Sequence, residues 1–255
     1  MHEEILTERG VPYGHGKLLD IYRPPGAGPA PIILLWHGVG QDERDVLEPL
    51  ARATAALGAV VVVPDWRSDA PDEGRAHLLA SLAFTRQAAA GLGAGDDAIV
   101  LAGWSRGGRS AAAIGVRPGA VGGWRPLGVV CLGAAYTRLT PVTGGSPIED
   151  LAATGALAPA PVPFWLVHGT EDATVPVAAS REFAALLARR GWPVLLEEQP
   201  TDHAGVIGTE YDPSARRCVP ATAGPAVAAG RLSARMIAEA TGATWAAGPG
   251  QEPSG

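Results

Sequence analysis

Apolar positions along the chain fall into two alternating patterns. Pro31–Trp36 is apolar on both faces, as a central parallel strand must be, and Ala59–Val63, Ala98–Ala102, Leu127–Leu132 and Val162–Val167 repeat that pattern. Pro193–Glu197 reads as a last strand. Between these runs the apolar period changes to that of a helix. In Asp42–Leu57 the inner face is Val46, Leu47, Leu50, Ala53 and Leu57; in Glu73–Ala90 it is Leu78, Leu79, Leu82, Ala83 and Ala89. Ser110–Gly115, Val177–Arg190 and about Ala223–Ala240 read as further helices. Gly58, the cluster Gly91–Gly95, and Gly191 supply stops.

Ahead of this alternation, Glu3–Glu8 and Lys17–Tyr22 read as antiparallel strands joined by a Gly-Val-Pro-Tyr-Gly loop. Arg23–Pro29 is a turn cluster that no strand can enter. The pattern predicts a mostly parallel central sheet with helices on both faces and an antiparallel N-terminal start. No linker or repeat interrupts it. The expectation is one domain over residues 1–247, followed by a disordered tail at 248–255 that is rich in Gly and Pro. Gly133–Pro161 is about 29 residues of turn formers, room for a loop and one short helix but not for a large cap domain.

Composition narrows the function classes. At 255 residues the chain suits one large α/β domain. The net charge is −6 and the only lysine is Lys17, so no basic stripe invites nucleic acid. No apolar run approaches the ~18 residues of a membrane span. The charged segment Met1–Arg9 shows no signal peptide, and the expected location is the cytoplasm. Cys131 and Cys218 have no metal or redox spacing. Cys131 reads as a small buried hydrophobe, and whether the two cysteines pair stays open. No metal and no cofactor are expected.

The candidate chemistry centres on Ala102-Gly-Trp-Ser-Arg-Gly-Gly108, placed between the strand ending at Ala102 and the helix that follows. A nucleophile on a sharp strand-to-helix turn leaves no room for side chains two positions to either side, which G-x-S-x-G spacing satisfies. With 34 glycines in the chain this spacing arises readily by chance, so its partners decide. A serine hydroxyl needs a base, usually a histidine oriented by a carboxylate. Of six histidines, His2 and His15 precede the core and His77 lies inside a helix. His37 and His168 each end a strand and precede a glycine, where they shape loops. His203 sits in the loop after the last strand, at the sheet end where such sites form. Asp172, four residues past a strand end, can reach that loop; Glu171 and Asp202 are its rivals.

Ser105 in G-W-S-R-G, Asp172 in H-G-T-E-D-A-T-V-P (168–176) and His203 stand in the order Ser, Asp, His. This resembles the α/β-hydrolase fold in its esterase/lipase and peptidase-like branches, over about Lys17 to Ala240. The resemblance implies that Asp172 is the acid and His203 the base. It also makes His37-Gly-Val-Gly40 the oxyanion loop, with the amides of Val39 and Arg106 as donors. H-G-V-G is not the H-G-G-G of esterases that accept bulky alcohols. Trp104, Tyr136, Val206 and Ile207 are candidate pocket residues, and Asp65 is read as structural. The implied function is a serine hydrolase acting on small or medium carboxylic esters, without interfacial activation. Thioesterase, lactone hydrolase and small peptidase share the same triad. An acyltransferase or a catalytically inactive binding scaffold would be the other classes. The expected partner is a small-molecule ester; the oligomeric state is not legible.

Overall fold

The computed structural model describes residues 4–24, 26, 28, 30–95, 98–153 and 160–242. The expected tail at 248–255 lies outside them. Eight strands form one sheet: β1 (Leu6–Gly14), β2 (Lys17–Arg23), β3 (Ile32–Trp36), β4 (Val60–Pro64), β5 (Ile99–Trp104), β6 (Gly128–Leu132), β7 (Phe164–Gly169) and β8 (Val194–Gln199). Their order across the sheet is β1-β2-β4-β3-β5-β6-β7-β8. The pairs β1–β2 and β2–β4 are antiparallel and every later pair is parallel. Among the described residues the α-helices are α1 (Glu48–Ala55), α2 (Arg75–Leu92), α3 (Arg106–Val116), α4 (Pro147–Ala153), α5 (Ala178–Arg189) and α6 (Gly224–Gly242).

Strand periodicity divides the core into two layers. Ile32, Leu34, Trp36, Ile99, Leu101, Val129, Phe164 and Leu166 face one way and pack on Leu78 and Leu82 of α2, Ile114 of α3, Leu151 of α4 and Phe183 and Leu187 of α5. Ile33, Leu35, Val61, Val63, Val100, Val130 and Val167 face the other way, onto Leu50 of α1 and Met236 and Ile237 of α6. Each such side chain removed from water contributes about 1.5–3 kcal/mol. Because both faces are covered, a one-residue slip of β5 would cost nothing in exposure but would re-aim the serine turn at its end. Register is instead held by the ladder from Ile32↔Ile99 to Trp36↔Gly103.

The local departures from the expected pattern have identifiable causes. The loop expected at Gly10–Gly14 is strand: β1 continues through it with two register shifts. Pro12 is tolerated because β1 is an edge strand that owes no second ladder, and Tyr13 is anchored by its hydroxyl to the Asp65 carbonyl. The turn shrinks to His15-Gly16, both with positive φ (51° and 66°), as a two-residue hairpin loop requires. The helix expected from Asp42 begins only at Glu48, after a 3₁₀ turn at Arg44–Leu47. Pro49 occupies the first helical turn, where its missing N–H is not needed. The expected loop 199–220 holds a separate hairpin, β9 (Thr209–Asp212) and β10 (Arg217–Pro220). Four-residue, half-exposed strands carry too few alternations to show in sequence. Among the described residues, the segment between β6 and β7 has α4 as its one helix. Cys131 and Cys218 are both free. Among the described residues, no helix is long and apolar enough to cross a membrane.

Candidate active site

β5 delivers Ser105 to the carboxyl end of the sheet, and α3 starts at the next residue. Ser105 has φ 53° and ψ −116°, a conformation that costs a non-glycine residue about 1–3 kcal/mol. The surrounding contacts hold it there. Its N–H donates to the Leu132 carbonyl at 2.8 Å, and its carbonyl accepts from Arg109 N at 3.0 Å. The glycines are required by contact. A Cβ on Gly103 would be driven into the backbone of Gly107 and Gly108, and one on Gly107 into the carbonyls of Trp36 and His37.

The loop after β3 is shaped by His37. This fully buried imidazole accepts from Trp66 N (3.2 Å) and Glu43 N (3.3 Å) at Nε2, so its proton sits on Nδ1, 3.1 Å from the Gly38 carbonyl. Burial pushes its pKa down to about 4. The ring also stacks on Trp66 at 5.4 Å. So held, the loop lays Gly38 against the serine turn: a Cβ there would sit 2.9 Å from the Trp104 ring and 3.2 Å from Ser105 Cβ. Val39 follows, its side chain exposed on the wall of a cleft that Ser105 also lines.

Asp172 lies past the end of β7, buried. Its Oδ1 accepts from Thr174 N (2.8 Å) and Val175 N (2.7 Å). Its Oδ2 lies 2.6 Å from His203 Nδ1 and 3.3 Å from His168 Nε2. Burial alone would raise its pKa. Hydrogen bonds from His168, His203 and Val175 outweigh burial and hold the carboxyl well below the usual range. It is an anion whenever the protein is folded near neutrality.

His203 is tethered on three sides. Its Nδ1 faces Asp172, the Trp104 indole N–H donates to its carbonyl at 2.9 Å, and its ring lies 5.1 Å from the Trp104 ring. Gly133, just past β6, makes the space: a Cβ there would stand 3.2 Å from His203 Nδ1. With Nδ1–H directed at Asp172, the Nε2 lone pair is left for a proton from elsewhere.

Ser105, Trp104, His203 and Val39 share a cleft of about 460 Å³ with Glu43, Glu171, Asp202, Tyr211, Arg217 and Cys218. Of the four residues expected to line a pocket, Trp104 does so. The other three do not line this cleft. Tyr136 is buried and stacked 4.1 Å from Phe183 in the layer beneath, its hydroxyl turned towards Cys131 and Ser180. Val206 and Ile207 are fully buried against α6. The reason is direction: the chain turns down into the core after Gly133 and after Ala204. Several residues at the site had no local sequence signal. Gly133 and the β9–β10 hairpin come to it only by tertiary contact. His168, expected to shape its loop, also touches Asp172. Asp65 meets the structural expectation, pairing with Arg44. Among the described residues, no group of three or more His, Cys, Asp or Glu side chains is arranged to hold a metal ion.

No family model matches the chain, and no curated protein matches it. Solved structures do. A thermophilic esterase from the Planctomycetes species Thermogutta terrifontis, in a propionate-bound form, aligns at TM-score 0.67 and 19% identity over 93% of each chain. DphMB1 aligns at 0.66 and 25% identity over 94% of this chain and 86% of that one. MGS-M1, an α/β hydrolase from a Medee basin deep-sea metagenome library, aligns at 0.63 and 17% identity over 94% and 99%. The chain has the α/β-hydrolase fold.

Proposed function

We propose that this α/β-hydrolase-fold chain is a serine hydrolase that cleaves carboxylic esters of small or medium size through an acyl-enzyme on Ser105. The observation that carries the reading is the 2.6 Å contact of Asp172 Oδ2 with His203 Nδ1, in a loop tied to the residue before Ser105. Ser105 Oγ attacks the ester carbonyl while His203 Nε2 takes its proton. The amides of Val39 and Arg106 receive the developing oxyanion; each such donor is typically worth about 3–4 kcal/mol. Asp172 fixes the tautomer of the neutral His203 imidazole and stabilises the imidazolium that forms. His203 then gives the proton to the departing alcohol. Water, deprotonated by His203, releases the acid and restores Ser105.

The ester class draws support from the Thermogutta esterase, a structural neighbour solved with propionate bound and also phosphorylated by paraoxon. Among the described residues between β6 and β7, α4 is the one helix, which favours dissolved substrates over a lipid surface. Thioesters, lactones and amides would use the same attack, so a substrate panel separates them. Product analysis with added alcohol separates acyl transfer from hydrolysis.

The test is covalent labelling joined to turnover. Paraoxon should phosphorylate Ser105 once per chain, read by peptide mass, and abolish hydrolysis of p-nitrophenyl butyrate. Ser105→Ala should take up no label and lose activity by on the order of 10⁴–10⁶-fold while remaining folded. A label on another residue, or an alanine variant with a tenth of wild-type activity, removes Ser105 from the role.

A further inference from the structure

The cleft that holds Ser105 and His203 carries more charge than ester cleavage uses. Glu43, Glu171 and Asp202 line it together with Arg216 and Arg217. Arg217 is paired with Asp45 at 2.7 Å. Glu43 folds back onto Gly40 in the loop after β3, where a Cβ on the glycine would overlap its carboxylate. Half-buried there, that carboxylate accepts no hydrogen bond and joins no ion pair among the described residues, and burial raises its pKa. The side chains of Glu171 and Arg216, both exposed, are likewise without a partner among the described residues. Tyr211 lines the same cleft from the hairpin, directly opposite Cys218, a second lining residue, so β9 and β10 turn one shared face to it. Tyr211 is 56% exposed. Trp104 packs its ring on His203, but among the described residues the Tyr211 ring meets no other ring and its hydroxyl makes no hydrogen bond. The fold makes no use of this open ring or of the unmet carboxylates beside it.

On the reading that Ser105 is the nucleophile, we propose that this cleft binds a sugar ring, which makes the substrate class the short-chain acyl esters of a carbohydrate hydroxyl. The place of the ring follows from His203. Asp202 and Ala204 flank His203 and line the cleft, as do Glu171 and Ala173 on either side of Asp172. The leaving oxygen takes its proton from His203, so the alcohol half of the ester lies among these residues. The chemistry of that half follows from the mixture of signs. An anionic alcohol would meet three carboxylates, and a cationic one two guanidinium groups. An alkyl alcohol would strip water from charged side chains and replace none of it. A sugar hydroxyl is neutral and both donates and accepts, so it suits the carboxylates and the guanidinium groups at once. The Tyr211 ring offers its electron-rich face to the C–H face of the sugar. A volume of about 460 Å³ takes one such ring with a short acyl chain.

The experiment compares methyl 6-O-butyryl-α-D-glucopyranoside with cyclohexylmethyl butyrate. Both carry the same acyl group and a six-membered ring on one methylene; only the first has hydroxyls. The wild-type kcat/KM should favour the glucoside by on the order of 10-fold or more. Glu43→Met and Glu171→Met should each lower that ratio by roughly 5-fold, and Glu171, being exposed, can be changed without loss of the fold. Binding is read separately by saturation-transfer NMR on Ser105→Ala. The ring protons of the glucoside should receive magnetisation from the protein, and Tyr211→Ala in that background should remove most of it. Saturation confined to the butyryl protons, or a ratio that both Met variants leave unchanged, overturns the proposal. Hydrolysis of cyclohexylmethyl butyrate as fast as the glucoside overturns the sugar subsite alone and leaves Ser105 in its role. Failure of paraoxon to label Ser105 overturns the hydrolase reading, and the NMR comparison still decides the sugar site.

Discussion

His37-Gly38 and His168-Gly169 are the same dipeptide in the same place: each ends a central parallel strand, and both imidazoles are fully buried. The glycines do parallel work. Gly38 lets one loop lie on Trp104 and Ser105; Gly169 lets the His203 loop lie close, since a Cβ there would run into the carbonyls of Thr201 and Asp202. The histidines differ in what surrounds them. His37 Nε2 is met by two backbone N–H groups, so it must accept, and the ring is neutral. His168 Nε2 is met by the Val175 carbonyl at 2.8 Å and Asp172 Oδ2 at 3.3 Å, so it must donate, while Nδ1 accepts from the Ser180 hydroxyl at 2.7 Å. One imidazole fixes a loop; the other also steadies a carboxylate. The role is set by the polarity of the partners, which lie 4 to 29 residues away in sequence for the groups just named.

The largest break in this comparison removes the carboxylate that distinguishes the second corner. Asp172→Asn places an amide where Oδ2 accepts from His203, which favours the wrong tautomer. We expect kcat for p-nitrophenyl butyrate to fall by on the order of 10³–10⁴-fold with the fold retained by circular dichroism. Glu171→Gln and Asp202→Asn, at the cleft wall, should each cost less than about 10-fold. If Asp202→Asn is the most damaging of the three, the acid has been misassigned.

The next effect sharpens the comparison at the His37 corner. A histidine with a folded pKa of about 4 and an unfolded value of 6.5 binds fewer protons when folded. Stability is therefore fully present above pH 6.5 and is lost as pH falls towards 4. The whole loss is about 3 kcal/mol. Asp172, whose carboxyl is held low, loses its contribution only below its unfolded value of 3.8, so the windows do not overlap. Urea unfolding at pH 7 and pH 4.5 should show wild type losing more stability on acidification than His37→Gln, which starts less stable. Taking the difference between the two proteins cancels the other groups that titrate in this range. Equal losses would mean that His37 is solvated or charged in the fold.

Much of this arrangement is legible in the sequence, and the boundary of legibility is physical. Strands apolar on both faces and the alternation with helices announced the sheet, because covering both faces leaves no choice of pattern. The serine turn announced itself because Gly103 and Gly107 are excluded volume made visible. Position past a strand end made Asp172 a candidate beside Glu171 and Asp202, and only the resemblance to a known family chose among them. What stayed hidden depends on contacts across the chain. Gly133 clears space for a histidine 70 residues away (203 − 133). Tyr136 and the pair Val206-Ile207 look like pocket residues until the chain direction after each strand is known.

The smallest effect tests whether His168 acts through Asp172 or only fills space. His168→Leu removes one of the four hydrogen bonds that Asp172 accepts and leaves the Ser180 hydroxyl without its ring acceptor. Lost packing and lost hydrogen bonding would lower stability, and that alone says nothing about mechanism. The informative readout is the pH profile. With one donor fewer, the charge on Asp172 Oδ2 is less dispersed and holds a proton on His203 more strongly. The acid limb of kcat/KM for p-nitrophenyl butyrate should then move to higher pH, and kcat should fall by about 10-fold. His168→Gln can still present an N–H to Asp172 and the Val175 carbonyl, so it should recover most of both. A leucine variant that is less stable but keeps the wild-type pH profile would make His168 the equal of His37: a buried anchor for its loop, with no hold on the chemistry.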